Sequence, residues 1–444
     1  MPMPQLVTAA LLASALAGAP AVAGELQPVE FTLRNGLKVV LAEEHSVPNV
    51  CLGIAFRTGS RNERPGITGV SHLFEHMMFN GSRRYPAGLF DLVLEGGGGY
   101  SNAYTSRDLT FYYEEFLPHL LDTVLAMEAD RMRGLRIDRA NLEQERGIVM
   151  EERRLGVDNS VPGSLAEALD AAAFAAHPYR TPVIGWMRDL ETVTPADARG
   201  YYDTWYVPNN ATLVVVGSFN ASRARRMVEG HFGTIPARRL PRTPPDPEPP
   251  QRGEKRVTLH MAAELPALMI GWKMDAAREP GHAALQMLAV VLGHGESSRL
   301  HRRLVYEEEI CTGVDLEAAE LRDPGLFTLY AQVRPGRTPA EAEAVIAAAI
   351  TALVDSGVTA AEAAKALSVL EKQASDDLVT HAGTAGRLAF FDAVYGSWKP
   401  ALDPAARFSA VTPEAIRDAA RRVLTDRRKT VVLLVPERAE ERQP

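Results

Sequence analysis

Charge is missing from the first 23 residues, MPMPQLVTAALLASALAGAPAVA, which close on the small-x-small triplet Ala21-Val22-Ala23. An apolar, uncharged start ending at such a triplet reads as an export signal over residues 1–23. After residue 24 no apolar run reaches the length, about 20 residues, that crosses a bilayer, so export into a bacterial periplasm without a later membrane span is expected. Cysteine is nearly absent: Cys51 and Cys311 lie in different halves, their spacing favours no bridge, and two buried, unpaired thiols are expected. A basic surplus is also absent. The net charge of -8 excludes the concentrated positive face that a nucleic-acid partner requires. No G-x-S-x-G pattern supports a serine hydrolase, and no Gly-Lys-Ser/Thr follows the glycine run Gly96 to Gly99, which rejects a phosphate loop.

What remains is an ordinary globular composition, 46% hydrophobic and 23% charged over 444 residues. A single core rarely grows past about 250 to 300 residues, so two domains are expected. The segment ARRLPRTPPDPEPPQRGEKR, residues 237–256, is dense in proline and charge and reads as the linker between them. Each part opens with alternating, β-branched segments, FTLRNGLKVVLAEE and NVCLGIAFRTGS in the first and RVTLHMAAELPALMIGWKM in the second, and then turns helical. Asn35-Gly36 predicts a two-residue hairpin turn. Strands in hairpins with helices in long runs predict an α+β class: two similar domains, each a mainly antiparallel sheet covered by helices.

Chemistry concentrates in GVSHLFEHMMFNGS, residues 69–82. If this stretch is helical, His72 and His76 stand one turn apart with Glu75 beside them. Two imidazoles so placed grip one metal ion, and zinc, with three protein ligands and an open fourth position, suits them. The adjacent glutamate then serves as general base toward water. Three polar groups flanked by Val70, Leu73, Phe74, Met77, Met78 and Phe79 are costly to bury without such a purpose. A third ligand is needed, and NLEQERGIVMEERRL offers Glu143, Glu145, Glu151 and Glu152. Seven helical steps put Glu145 and Glu152 on one face. A solvated acidic face paired with Arg146, Arg153 and Arg154 explains those glutamates equally well.

The sequence resembles the M16 family of zinc metallopeptidases, the pitrilysin and mitochondrial processing peptidase group, in its short two-domain bacterial type. The resemblance is carried by NGLKVVL, GSRNE, the H-x-x-E-H block with MFNGS, YSNAYTSRDLTFY, ERGIVMEE, HPY, IGW, WYVPNNATLVVVG and LGHGESSRL. It implies the LuxS/MPP-like metallohydrolase fold, with a zinc-binding domain over 28–236 and a related domain without the zinc motif over 257–438. It implies one zinc ion per chain held by His72, His76 and Glu152, with Glu75 activating water and Glu145 supporting the ligands. Asn102 and Ala103 match the family's edge-strand residues, where an extended peptide pairs with the sheet, and Phe79 is expected to contact substrate. In the family the zinc-free half contributes an Arg and a Tyr that help polarise the scissile carbonyl, but those positions here fall on Val305 and Thr312. Arg303 and Tyr306 are near but off register. A second M16-like subunit supplying the missing pair is therefore expected, and a non-catalytic scaffold of the same fold is the alternative. His45 and His177 are read as surface and turn residues, and His282 and His294 receive no catalytic role.

Overall fold

The computed structural model describes residues 26–241 and 247–437. The expected export signal lies outside the described residues. Strands β1 (Val29–Thr32), β2 (Lys38–Glu43), β3 (Val50–Phe56), β4 (Tyr100–Thr105), β5 (Thr110–Phe116) and β6 (Ala211–Gly217) form one six-stranded sheet in the order β1-β2-β6-β3-β5-β4. Strands β7 (Lys255–Met261), β8 (Ala267–Lys273), β9 (Cys311–Ala318), β10 (Leu326–Val333) and β11 (Lys429–Pro436) form a second in the order β7-β11-β8-β10-β9. Apart from the extra strand β1, the two orders are the same path traced twice. Each sheet has a single parallel pair, β2 with β6 and β7 with β11, and antiparallel pairing elsewhere. The α+β, two-unit architecture is thus the observed one.

Alternation along the strands splits the first sheet into two apolar faces. Val39, Leu41, Leu52, Ile54 and Tyr112 face a layer that includes the helices Val70–Met77, Leu121–Gly134 and Ala221–Phe232. Val40, Ala42, Cys51, Ala55 and Phe111 face the opposite way, onto Ala385, Leu388 and Ala389 of helix His381–Tyr395. That helix comes from the far end of the chain. The second sheet repeats the exchange in reverse: Ala267, Met269, Val432 and Leu434 pack on Leu165 and Leu169 of helix Val161–Ala173. Each half therefore lends one helix to the other's sheet.

Buried charge fixes the exchange. Asp392, on the borrowed helix, accepts from Lys38 Nζ at 2.5 Å, Arg57 Nη2 at 2.7 Å and Thr212 Oγ1 at 2.6 Å. On the other side Arg61 pairs with Asp323, and His177 Nε2 lies 3.2 Å from the same carboxylate. His177 does cap a short turn, Pro178–Arg180, but it is buried between the halves. Cys51 and Cys311 are free, buried, and in different sheets.

Two local features differ from the sequence reading. The β1–β2 hairpin closes through three residues, Arg34-Asn35-Gly36, because Leu33 N–H donates to Leu37 O (2.9 Å) and Gly36 takes φ 85°. Asn35 donates to the carbonyls of Phe232 and Ile235 at 2.8 and 2.9 Å, so this turn also docks a distant helix end. The proline-rich segment is anchored as well. Strand β7 begins at Lys255, and Glu248 accepts the amide hydrogens of Ala175, Ala176 and His177 while pairing with Lys273 at 2.6 Å.

Burial opposes the charge on Glu248, but the amides of Ala175 and His177, the Lys273 ammonium and the Ala176 amide outweigh it and hold the carboxyl down at about 2. A carboxyl depressed in the folded state adds stability above its unfolded value of about 4.3, and that stability is lost as pH falls toward 2. Glu248→Gln is expected to destabilise the protein by about 2 kcal/mol at neutral pH. Urea midpoints measured from pH 7 down to 3 should show the gap between variant and wild type narrowing only at the acid end; a gap independent of pH would contradict this assignment.

Candidate metal centre

The helix Val70–Met77 starts at Gly69, whose φ of 85° suits glycine. A Cβ there would stand 2.5 Å from Ile184 O, and Gly185 (φ 82°) is pressed equally closely against Gly69 from the other side. Two glycines thus let the chain segments touch. The free amide hydrogens at the helix start go to one half-buried carboxylate: Glu63 accepts from Gly69 N and Ser71 N, both at 2.8 Å. Burial pushes the Glu63 carboxyl up to about 8, against the pull of those donors. Glu63, inside GSRNE, escaped the sequence reading as a positioning residue; a glutamate six residues before a glycine helix start is its only sequence trace.

The second helix, Arg139–Arg153, begins with Asp138 accepting from Asn141 N at 3.0 Å. Its last residue turns inward. Arg153 donates to both oxygens of Glu167 (2.6 and 3.0 Å) and to Gly185 O (2.8 Å), so the end of this helix is tied to the glycine contact at the start of the other. Arg153 is therefore not a surface partner for the helix's own glutamates; of Arg146, Arg153 and Arg154, only Arg154 pairs with one of them, Glu151.

Between the two helices the polar side chains meet. His72, His76 and Glu152 present ligand atoms that all lie within 4.8 Å of one another, and among the described residues no other such group occurs. Glu152 Oε2 is 3.4 Å from His76 Nε2, and Oε1 is 3.8 Å from His72 Nε2. Glu75 Oε2 stands 3.9 Å from His72 Nε2. Glu145 lies on the other side of the His76 ring, 3.5 Å from Nδ1, and itself accepts from Asn80 Nδ2 at 2.8 Å. Glu143 and Glu151 point elsewhere, to Arg139 and Arg154.

These separations are long for hydrogen bonds and suit a shared ion. Zinc bonds of about 2.0–2.1 Å in a tetrahedral shell set ligand atoms about 3.3 Å apart. The donor set, two imidazoles and one carboxylate, is the kind zinc takes at hydrolytic sites. Burial holds His72 below the ordinary imidazole range, with Glu75 and Glu152 pulling the other way, so the ring favours the neutral form that offers a lone pair. Glu145 Oε2 faces Nδ1 of His76, the side from which a carboxylate can orient a ligating imidazole.

The remaining expected residues are divided between the two halves. Strand β4 is the open edge of its sheet, and Ala103 packs toward the core beneath the histidine helix. Asn102 is exposed, and its Oδ1 accepts from Ala103 N at 2.8 Å. Phe79 is half-buried, its ring packed against Tyr112 and, 5.7 Å away, the Arg131 guanidinium. Val305 is buried in the second core. Thr312 Oγ1 donates to Gln332 Oε1 at 3.1 Å, and Arg303 pairs with Glu308 at 3.0 Å. His45 is exposed and bonded to Ser218 and Glu43, whereas His282 is buried.

Known proteins resemble this chain in sequence and fold. The family model described as insulinase (peptidase family M16) matches residues 38–185, and the one described as peptidase M16 inactive domain matches residues 192–370. The zinc protease PqqE of Helicobacter pylori is 31% identical over 336 residues, spanning 74% of this chain and 76% of that protein. A crystal structure of a protease from Helicobacter pylori superposes with a TM-score of 0.88 at 29% identity, over 93% of this chain and all of that one (100%). The first half of the periplasmic protease PqqL from Escherichia coli shares the fold, with a TM-score of 0.73 at 21% identity over 92% of each chain. The chain belongs to peptidase family M16.

If the cluster is a zinc site, His76→Ala and Glu152→Ala will purify without the metal, and Glu145→Gln will hold it about 10- to 100-fold more weakly. Metal content and chelator competition measure both; full zinc occupancy in Glu152→Ala would remove Glu152 from the ligand set.

Proposed function

We propose that this chain is a zinc-dependent endopeptidase cleaving extended peptides, and that it is the catalytic member of a pair. The observation that carries the reading is the meeting of His72, His76 and Glu152 with Glu75 at the same opening. One zinc ion held by the first three would polarise the scissile carbonyl and acidify the attacking water. Glu75, on the same helix face, takes a proton at Oε2 from that water and delivers it to the departing amine. Glu145 and Asn80 orient His76 throughout. The substrate is held in line by main-chain pairing along the open edge of β4, which is indifferent to most side chains.

The two positions where the resemblance places a carbonyl-polarising Arg and Tyr carry neither residue. Val305 is buried and carries no donor, and Thr312 is engaged with Gln332. A partner chain of the same fold supplies them in this reading. Donors aimed at a developing oxyanion account for about 3 to 4 kcal/mol each, so the isolated chain is expected to be slow by a factor of 100 or more relative to the pair, on the order of the loss seen when such a donor is removed. The uncharged leader, together with PqqL being described as periplasmic, supports action outside the cytoplasm.

Glu75→Gln is expected to keep zinc and fold while cleavage falls by at least about 1000-fold, as befits a lost general base acting together with its metal. An unchanged rate would end this peptidase mechanism. Assaying wild type alone and with a candidate partner settles the pairing: full activity from the single chain overturns it. A non-catalytic scaffold predicts no metal-dependent cleavage in any assembly.

A further inference from the structure

On the face of β4 turned away from the histidine helix lies an open pocket of about 550 Å³ whose walls are Tyr100, Tyr104, Phe111, Tyr113, Phe390 and Phe391. Its position follows from the strand's alternation. Ala103 packs toward the metal-bearing layer, whereas Tyr100 and Tyr104 stand on the opposite face, both well exposed at 47% and 38%. Strand β5 continues the wall: Tyr104 is opposite Phe111, Asn102 is opposite Tyr113, and Phe111 stacks on Tyr113 with ring centroids 5.6 Å apart. The floor is the borrowed helix His381–Tyr395.

That helix has glycine at 383 and 386, both lining the pocket, although glycine inside a helix costs about 1 kcal/mol relative to alanine. Gly383 is explained by packing, since a Cβ there would meet Asp377 O at 2.2 Å. Gly386 is not. A Cβ at 386 would meet only Phe111, at an ordinary 3.7 Å, so the missing side chain leaves space that the fold itself does not demand.

The charged groups at the pocket are already satisfied. Arg387 pairs with Asp377 at 2.8 Å and lies 5.0 Å over the Phe391 ring; Arg407 pairs with Glu320 at 2.5 Å and covers the same ring at 4.8 Å. A cationic guest would have to compete with Arg387 for the exposed Asp377 carboxylate, whereas the aromatic walls carry no charge to be displaced.

We propose that this pocket is a specificity subsite for an aromatic side chain of the substrate. The inference rests on the reading above that a peptide pairs with the edge of β4. Such a peptide runs about 4.8 Å beyond the strand, and its side chains alternate between the two faces. Those on the near face approach the histidine helix; those on the far face meet the row Tyr100, Asn102 and Tyr104, whose two tyrosines border the pocket. Aromatic rings prefer offset and edge-on partners at centroid separations of about 4.5–7 Å, which these walls provide on several sides. The preferred substrates are therefore extended peptides with Phe, Tyr or Trp at one fixed position from the scissile bond, in the register where side chains point away from the metal.

The test is a peptide series in which Phe, Arg, Glu or Ala is placed in turn at each position flanking one cleavage site, assayed with the active holoenzyme assembly. One position should favour Phe over Ala by at least about tenfold in kcat/KM, the discrimination an apolar pocket delivers. Gly386→Leu, which fills the space, and Tyr104→Ala, which removes an exposed wall, should each bring that ratio close to one. Preference for Arg or Glu at that position, no aromatic preference anywhere, or a preference surviving both variants overturns the subsite. A direct measurement separates this from failure of the peptidase reading: N-acetyl-4-fluorophenylalanine amide should show ¹⁹F line broadening with wild-type protein and lose it with Gly386→Leu, whether or not any peptide is cleaved. Equal broadening with both proteins, or none with wild type, also overturns it.

Discussion

The contact on which the site depends is between two glycines. Gly69 begins the helix that bears His72, Glu75 and His76, and Gly185 lies against it so closely that neither position has room for a Cβ. Arg153, one residue beyond Glu152, donates to the carbonyl of Gly185. The start of the first helix and the end of the second are thereby fixed to one point of backbone. Once that point is set, the crossing of the helices follows, and with it the approach of a carboxylate to two imidazoles. Convergence at the metal centre is thus decided by close backbone packing and one buried, bidentate Arg153–Glu167 pair. Three carboxylates and two rings gathered in a partly buried space would be held together by a shared cation, and the proposed zinc site therefore asks for a stiff scaffold.

Stiffness on a larger scale comes from the exchange of helices. A sheet buried on both faces needs two covering layers, and here each half makes only one and takes the other from its counterpart. Asp392, at the heart of one crossing, is nearly inaccessible yet holds Lys38, Arg57 and Thr212. Removing any one partner of such a cluster strands buried charge, so the halves resist sliding apart. Asp108 performs the mirrored task, accepting from the Tyr179 hydroxyl at 2.7 Å and from Arg322 N at 2.9 Å. A segment dense in proline could have been a loose hinge, but Glu248 pins it to both halves.

Much of this was legible in the residues. Histidines four apart on an apolar helix announce a shared face, and alternating strands broken by turns announce antiparallel sheets. The four glutamates of the later helix could not be ranked from spacing, because Glu145 and Glu152 share a face and only the tertiary crossing sends one to each side of the His76 ring. Which sheet a helix covers is likewise unreadable: the apolar stripes of Val161–Ala173 and His381–Tyr395 call for a sheet without saying whose. Arg153 looked like one more surface cation in a charged helix, and only burial reveals its task. The three-residue hairpin loop departs from the two-residue expectation because Asn35 also serves two carbonyls nearly 200 positions away, at separations of 197 and 200 residues.

Strand β4 gathers these threads. Its inner neighbour β5 fixes its height, its near face touches the layer that holds the histidine helix, its far face lines the aromatic pocket, and its outer edge is free. An exposed edge is a hazard in most proteins, inviting unwanted strands to pair. Here the exposure is short, six residues, and the Ala103 amide is occupied by the neighbouring Asn102 side chain. In the proposed reading a guest strand displaces that bond, and pairing is favoured for a peptide that gains elsewhere, at the zinc site on one side or among the rings on the other. The second half of the chain, which carries no metal motif, supplies the helix whose Gly386 leaves the pocket open, and on the proposed subsite it would thereby take part in choosing which peptides displace that bond.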